Sequence, residues 1–227
     1  MHRARRETLV DEVPADFTIA FATGVTLTRW TRAWQQRQRG IPLIFFPTDA
    51  ASQVSALHEG RADVSFVRLP VAREGLSLIP LYDEVAVVIV PKEHPLSDVE
   101  SVTLADLASD HRVADTLSAG DAVELVAAGG GIVILPQSIA RLHARKDVVA
   151  RAVTDAEVTT IAIAWLEEST TAQIDEFVGI VRGRTAASSR AIPTPKTPPL
   201  KSEKPRKAVT PKTRVPQRTR ARKPRGR

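Results

Sequence analysis

An α/β body followed by a disordered basic tail is the architecture that the sequence predicts. Three observations predict it: apolar runs of period two interleaved with apolar residues at helical spacing, turn residues between them, and an abrupt change in charge and proline content after residue 188. Residues 17–21, Phe-Thr-Ile-Ala-Phe, alternate as a strand does, and Ala22-Thr23-Gly24 turns the chain. Leu27, Trp30 and Trp34 then fall on one helical face, with Arg29, Arg32, Arg37 and Arg39 around the other side and Gly40 as the stop. Residues 42–46 read as a second strand and 47–49 as a turn, before a second helix that buries Val54 and Leu57 and ends at Gly60. Further strands are predicted at 64–67, 76–81 and 85–90, and strands alternating with helices imply a mostly parallel sheet with helices on its faces.

The second half repeats this logic on a smaller scale. Thr103-x-x-Asp106 is a capping-box pattern that predicts a short helix around Leu104 and Leu107. Ser118-x-x-Asp121 predicts another, running over 123–128 into Gly129-Gly130-Gly131, with a buried strand at 132–135 stopped by Pro136. A strand at 159–165 and an amphipathic helix marked by Ile174, Phe177, Val178 and Val181 complete the body near residue 185.

Charge divides the chain in two. Of the net +6, residues 190–227 carry +13, with fourteen Lys and Arg against the single acid Glu203, so the remainder carries −7. The same stretch holds half of the 16 prolines and no aromatic residue, too little apolar surface to offset the entropy of ordering it.

Several function classes are excluded or lack a signature. With no cysteine there are no disulfides, thiolate nucleophiles or sulfur-ligated metal sites. His2, His58, His94, His111 and His143 show no paired metal-ligand spacing, so neither metal nor cofactor is expected. Gly-x-Ser-x-Gly, phosphate-loop and dinucleotide-loop motifs are absent, and the paired acids Asp83-Glu84 and Glu167-Glu168 are expected on solvated surface. The protein is expected not to be an enzyme. No apolar segment follows the charged start before Asp11, and the longest apolar run, 85–90, is far short of the roughly 20 residues of a spanning helix. A cytoplasmic location without membrane association is expected.

Val54-x-x-Leu57-x-x-Gly60-x-Ala62-Asp63-Val64 resembles the helix, glycine and strand of LysR-type effector domains. Leu81-Tyr82-Asp83-Glu84, Val88, Pro91 and His94-Pro95-Leu96 are similar to that family's stretch at the crossover between lobes, and residues 126–136 to its returning helix, glycine turn and strand. The resemblance covers most of 17–184. It implies a two-lobed fold like type II periplasmic binding proteins, with lobe 1 at about 16–90 plus 160–186 and lobe 2 at about 91–159. Segment 1–15 precedes this domain of 16–186, and the tail spans 187–227. It further implies a non-enzymatic effector binder involved in transcription regulation, a small anionic metabolite in the interlobe cleft, and a homodimer. The Leu27, Trp30 and Trp34 helix is a candidate dimer face if its tryptophans exceed what the core absorbs.

Loops after parallel strands converge at one sheet edge, where free backbone N–H groups favour anions. Thr23 and Thr26 belong to the first such loop, Thr48 and Asp49 to the second, and Arg68 follows the third strand, while Gly130 lies in the glycine turn. Arg68 suits a carboxylate clamp, or equally a loop charge paired to a nearby acid. The threonines suit helix capping as well as ligand contact.

Two departures from the family stand out. The residues before the first strand are too few for the family's winged helix-turn-helix, and 111–120 replaces what is normally further strand and helix, so the second lobe is expected to be shortened. The tail offers a substitute DNA contact: Lys223-Pro224-Arg225-Gly226-Arg227 resembles an AT-hook core, with Arg220 and Arg222 adjoining it. A different reading makes the protein a chromosome-associated DNA binder acting through this tail, with a vestigial, dimerising body and a place on the nucleoid.

Overall fold

The computed structural model describes residues 16–184, and both segment 1–15 and the basic tail of 187–227 lie outside the described residues. Two sheets organise them. The first has five strands in the order β2-β1-β3-β9-β4: β1 (Phe17–Ala22), β2 (Leu43–Thr48), β3 (Val64–Arg68), β4 (Leu76–Glu84) and β9 (Thr159–Leu166). The second has four in the order β6-β8-β5-β7: β5 (Ala86–Pro91), β6 (Ser101–Val102), β7 (Val133–Pro136) and β8 (Val148–Val153).

Only half of the first sheet is parallel. β1 pairs parallel with β2 and β3, but β9 runs antiparallel between β3 and β4 because it re-enters the sheet from the second lobe. Glu84 and Thr159 are register partners, so the chain leaves and returns side by side. β5 belongs to the second sheet, so the change of sheet falls between Glu84 and Ala86, earlier than the boundary near residue 90 expected from sequence.

Period-two patterning explains the packing of β9. Ile161, Ile163 and Trp165 face a large-residue core, whereas Ala162 and Ala164 face a small-residue one. The large side receives α1 (Thr28–Arg37) and α5 (Ala172–Val181), with Trp34 stacked on Phe17 at 4.5 Å and Trp30 on Phe66 at 4.7 Å. Trp30 and Trp34 are 6% and 0% exposed, so this helical face is core and not a dimer surface. The small side receives the short α2 (Ser55–His58), whose close approach the alanines permit.

In the second lobe, α3 (Ala119–Ala127) buries Ala122, Val123 and Val126 beside β5. Ser118 caps it as expected, accepting from the Asp121 amide at 3.1 Å. Gly131 has φ +128°, and a Cβ there would lie 2.2 Å from the His111 carbonyl oxygen, so that turn requires glycine. The expected helix at Leu104 and Leu107 is a series of turns. Its capping contacts form all the same, with the Thr103 amide donating to Asp106 at 2.8 Å, but Leu104 turns away to donate its amide to Asp155 at 2.7 Å. Sequence reading missed β6, β8 and α4 (Gln137–Leu142).

Candidate functional site: an interlobe cleft

The parallel strands β1, β2 and β3 end together, and their last residues form the first-lobe wall of a cavity of about 710 Å³. Thr23, Thr48, Asp49, Gln53 and Arg68 line it from that lobe, and Ser118, Ala119, Gly120, Pro136 and His143 from the second. Four of the six candidate ligand residues therefore meet here: Thr23, Thr48, Asp49 and Arg68. Thr26 lines two neighbouring grooves instead. Gly130 is outside the cleft, its amide donating to the Leu125 carbonyl at 2.9 Å to close α3.

Each threonine has a different role. Thr23 donates both its amide and its hydroxyl to the Thr48 carbonyl at 3.1 Å, locking the first loop to the end of β2. Thr48 is only 5% exposed, and its own hydroxyl is buried without a hydrogen-bond partner among the described residues. Such an orphan costs about 1–3 kcal/mol. Across the cavity, Ala119 and Gly120 begin α3, where helix geometry leaves amides without intrahelical acceptors and the positive end of the helix dipole favours an anion.

Asp49 does not supply a free carboxylate. It accepts from the Ser52 hydroxyl at 2.6 Å and the Ser52 amide at 2.8 Å, and these bonds, the hydroxyl's first, hold its carboxyl below the usual value of 3.8.

Arg68 is committed as well. Its Nε donates to Glu84 Oε2 at 2.6 Å, and one terminal nitrogen donates to the Thr23 carbonyl at 3.1 Å and to Ser138 Oγ at 3.2 Å. Ser138 Oγ in turn donates to Glu84 Oε1, and Thr159 Oγ1 donates to Glu84 Oε2 at 3.4 Å. Gln53 fixes the backbone of Arg68, accepting from its amide at 2.8 Å and donating to its carbonyl at 3.1 Å. Of the two readings open for Arg68, pairing with an acid is the one observed.

Glu84 corrects the expectation of solvated surface, since its side chain is 4% exposed. Asp83 beside it is exposed and accepts from Thr160 at 2.6 Å. The Arg68–Glu84–Ser138 cluster joins the lobes where they touch. Gly24, φ +92°, lies at the same contact, and a Cβ on it would fall 2.7 Å from Ser138 Oγ. Gln53, Glu84 and Ser138 were missed by sequence reading; Glu84 alone had a signal, its place at the end of the predicted crossover.

A first lobe of this order, two crossovers and a ligand-sized cleft at the strand ends define a type of domain. Residues 17–120 match the family model of the LysR substrate binding domain. The LysR-type likeness continues through the second lobe in solved structures. The BenM effector binding domain with its effector benzoate is 21% identical, with a TM-score of 0.64, covering 78% of this chain and 95% of that one. A hydrogen-peroxide-bound OxyR mutant from Corynebacterium glutamicum is 18% identical, with a TM-score of 0.62, covering 75% of this chain and 67% of that one. At these identities the likeness shows the fold: a LysR-type, periplasmic-binding-protein-like α/β domain.

Among curated proteins, a probable hydrogen peroxide-inducible genes activator of Mycobacterium leprae (strain TN) is 32% identical over 114 residues, 38% of this chain and 37% of that protein. One of the same description from Mycobacterium avium is 27% identical over 138 residues, 49% of this chain and 44% of that protein. The chain thus spans less than half the length of these relatives. Among the described residues no helix is long and apolar enough to cross a membrane, and no group of three or more metal-ligating residues occurs.

Proposed function

We propose that this LysR-type domain binds a small organic anion between its lobes and converts the resulting closure into a transcriptional response. One observation carries the reading: Thr48, whose buried hydroxyl has no partner among the described residues, and Ala119 and Gly120 of the first turn of α3 line one cavity from opposite lobes. An anion there accepts from both lobes at once, and only the closed arrangement offers it all these donors, so binding favours closure. Arg68 acts as the staple beside the cleft, and the carboxylate is bound by neutral donors.

The named ligands of structural neighbours frame the choice of effector. Benzoate, the effector of BenM, is an aromatic carboxylate, and a cavity of about 710 Å³ admits a carboxylate of that size or larger. A peroxide response through a thiol has nothing to act on in these 227 residues, which contain no cysteine. Reversible binding of a carboxylate is therefore the reading, with no catalytic step assigned. Isothermal titration calorimetry of aromatic and aliphatic carboxylates against the full chain tests it. Saturable binding that Thr48→Val weakens about tenfold is expected, the loss of one hydrogen bond to a charged acceptor; heats absent across the panel exclude it.

A contact between the tail and DNA is proposed on charge. The rest of the chain carries −7 and repels phosphate, while the +13 of residues 190–227 attracts it by counterion release. Arg220, Arg222, Lys223, Arg225 and Arg227 are the proposed contacts, in a soluble protein that associates with the nucleoid. We also propose a homodimer. With the tryptophans in the core, the edge strand β2 offers the candidate face, since Ile44 and Phe45 are 46% and 53% exposed.

A further inference from the structure

Asp49, Arg68 and His143 are the side chains with a titratable charge that line the interlobe cleft. Ser52 holds the first and Glu84 the second, which leaves His143. Its amide donates to the Ile139 carbonyl at 3.2 Å as α4 ends, and its half-buried ring makes neither a hydrogen bond nor an ion pair among the described residues. His94 in the same lobe is different. Its Nε2 faces Asp110 at 3.1 Å and its Nδ1 accepts the Leu96 amide at 3.2 Å, so both nitrogens are occupied.

Glycine at position 120 admits the His143 ring to the cleft wall. A Cβ there would lie 3.3 Å from His143 Cε1 and 3.5 Å from Nδ1, so the imidazole rests on the first turn of α3. Few other charges bear on it. The first-turn acid of α3, Asp121, takes the Ser118 hydroxyl at 2.7 Å. On α4, Arg141 lines a separate groove, and beyond that helix Arg145 pairs with Asp147 at 2.9 Å while Lys146 is exposed. With the charge of Arg68 offset by Glu84, a neutral His143 leaves the cleft lining with the negative charge of Asp49. A proton on His143 cancels that charge and sets a cation beside Ala119 and Gly120.

We propose that the cleft takes up its anion together with a proton, and that His143 carries the proton. The inference rests on the cleft reading above and adds its regulation: binding tightens as pH falls from about 8 to about 6. Histidine changes charge in this range, and a neighbouring carboxylate favours the charged form. Ligand carboxylates stay ionised throughout it, as does Asp49, whose carboxyl its bonds to Ser52 hold below 3.8. To the neutral donors of the cleft, His143 adds one whose charge follows the pH of the surroundings.

Isothermal titration calorimetry of the full chain with benzoate, 2-naphthoate and succinate, in two buffers of different ionisation enthalpy, tests the proposal. The heat of binding is expected to differ between buffers in the direction of proton uptake. Affinity is expected to be about tenfold higher near pH 6 than near pH 8, the worth of one charge-assisted hydrogen bond. Both dependences are expected to vanish in His143→Gln, neutral at every pH, and in His143→Arg, charged at every pH. Near-ultraviolet circular dichroism of the three tryptophans reports whether each variant keeps its core. Binding with equal heats in both buffers and no change with pH overturns the role of His143 and leaves the cleft reading standing. Proton uptake that persists in a folded variant also overturns it. Three ligands silent at both pH values overturn the cleft reading and this inference together.

Discussion

At the scale of single residues, Glu84 shows why exposure cannot be judged from sequence neighbours. Next to Asp83 it resembles half of a solvated acid pair, but adjacent strand residues face opposite ways, and the register of β4 on β9 turns Glu84 inward and Asp83 outward. Its burial requires Arg68. Removing one partner of a buried pair leaves the other charge uncompensated, so Glu84→Gln is expected to lower unfolding stability by about 3 kcal/mol in urea denaturation. An unchanged midpoint would show that the pair adds nothing. Thr48 behaves in the opposite sense. Replacing its orphan hydroxyl in Thr48→Val is expected to stabilise the ligand-free protein by about 1 kcal/mol, even as it weakens ligand binding. A variant that loses both stability and binding places the hydroxyl in a structural role.

Thr23, Thr48, Asp49 and Arg68 were legible as site candidates because each follows a parallel strand, and strand ends converge. Their individual roles were not, because those depend on partners distant in sequence. Arg68 meets Ser138, and Thr48 comes to share a cavity with the start of α3, only after both lobes have formed. Gly130 belongs to a glycine run that serves the turn between α3 and β7, a local need that imitates a binding loop.

At the scale of elements, the two capping boxes separate local signal from tertiary decision. In both the capping hydroxyl accepts the amide three residues on, yet Ser118 opens a nine-residue helix and Thr103, which alone adds the reciprocal amide bond, a run of turns. The difference is burial: α3 has Ala122, Val123 and Val126 to place against β5, whereas Leu104 is 39% exposed and only Leu107 enters a core. A cap starts a helix that an apolar face must sustain. The Thr103 turn is pH-dependent with a definite sign. The Thr103 amide, then its hydroxyl, holds the Asp106 carboxyl below 3.8. A folded value below the unfolded one gives a contribution present above the usual carboxylate range and lost as pH falls through the folded value. Exchange of the Thr103 amide, measured by mass spectrometry and corrected for intrinsic rate, is expected to lose protection on acidification in the native protein but show no such change in Asp106→Asn. Identical profiles for the two would remove the carboxylate from the account.

Strands predicted from alternation were found nearly in place, but β6, β8 and α4 were missed. β6 has two residues, and β8 carries Arg151 within its span, which hides its apolar period.

At the scale of the molecule, two lobes are joined by adjacent crossovers beside the Arg68–Glu84 pair, and the proposed function requires them to rotate about these crossovers so that the cleft closes on its ligand. Gly24 sets how closely the lobes approach. Gly24→Ala places a methyl against Ser138 and strains a φ of +92°, so it is expected to hold the lobes apart and weaken carboxylate binding at least tenfold, measured calorimetrically. Undiminished binding would show that closure is not needed. The tail belongs to this scale as well. The salt dependence of DNA retention should flatten in a version ending at Ser189, because fewer counterions are released; equal slopes assign DNA contact to the body. Phe45→Lys on the β2 edge is expected to turn a dimer into a monomer in analytical ultracentrifugation, and a dimer that persists moves the interface elsewhere.

The most direct measurement is a crystal structure of the chain with the tightest carboxylate found by calorimetry. Density bridging the Thr48 hydroxyl and the amides of Ala119 and Gly120, with both lobes in contact with the ligand, is predicted. A saturated crystal in which that cleft stays empty contradicts it.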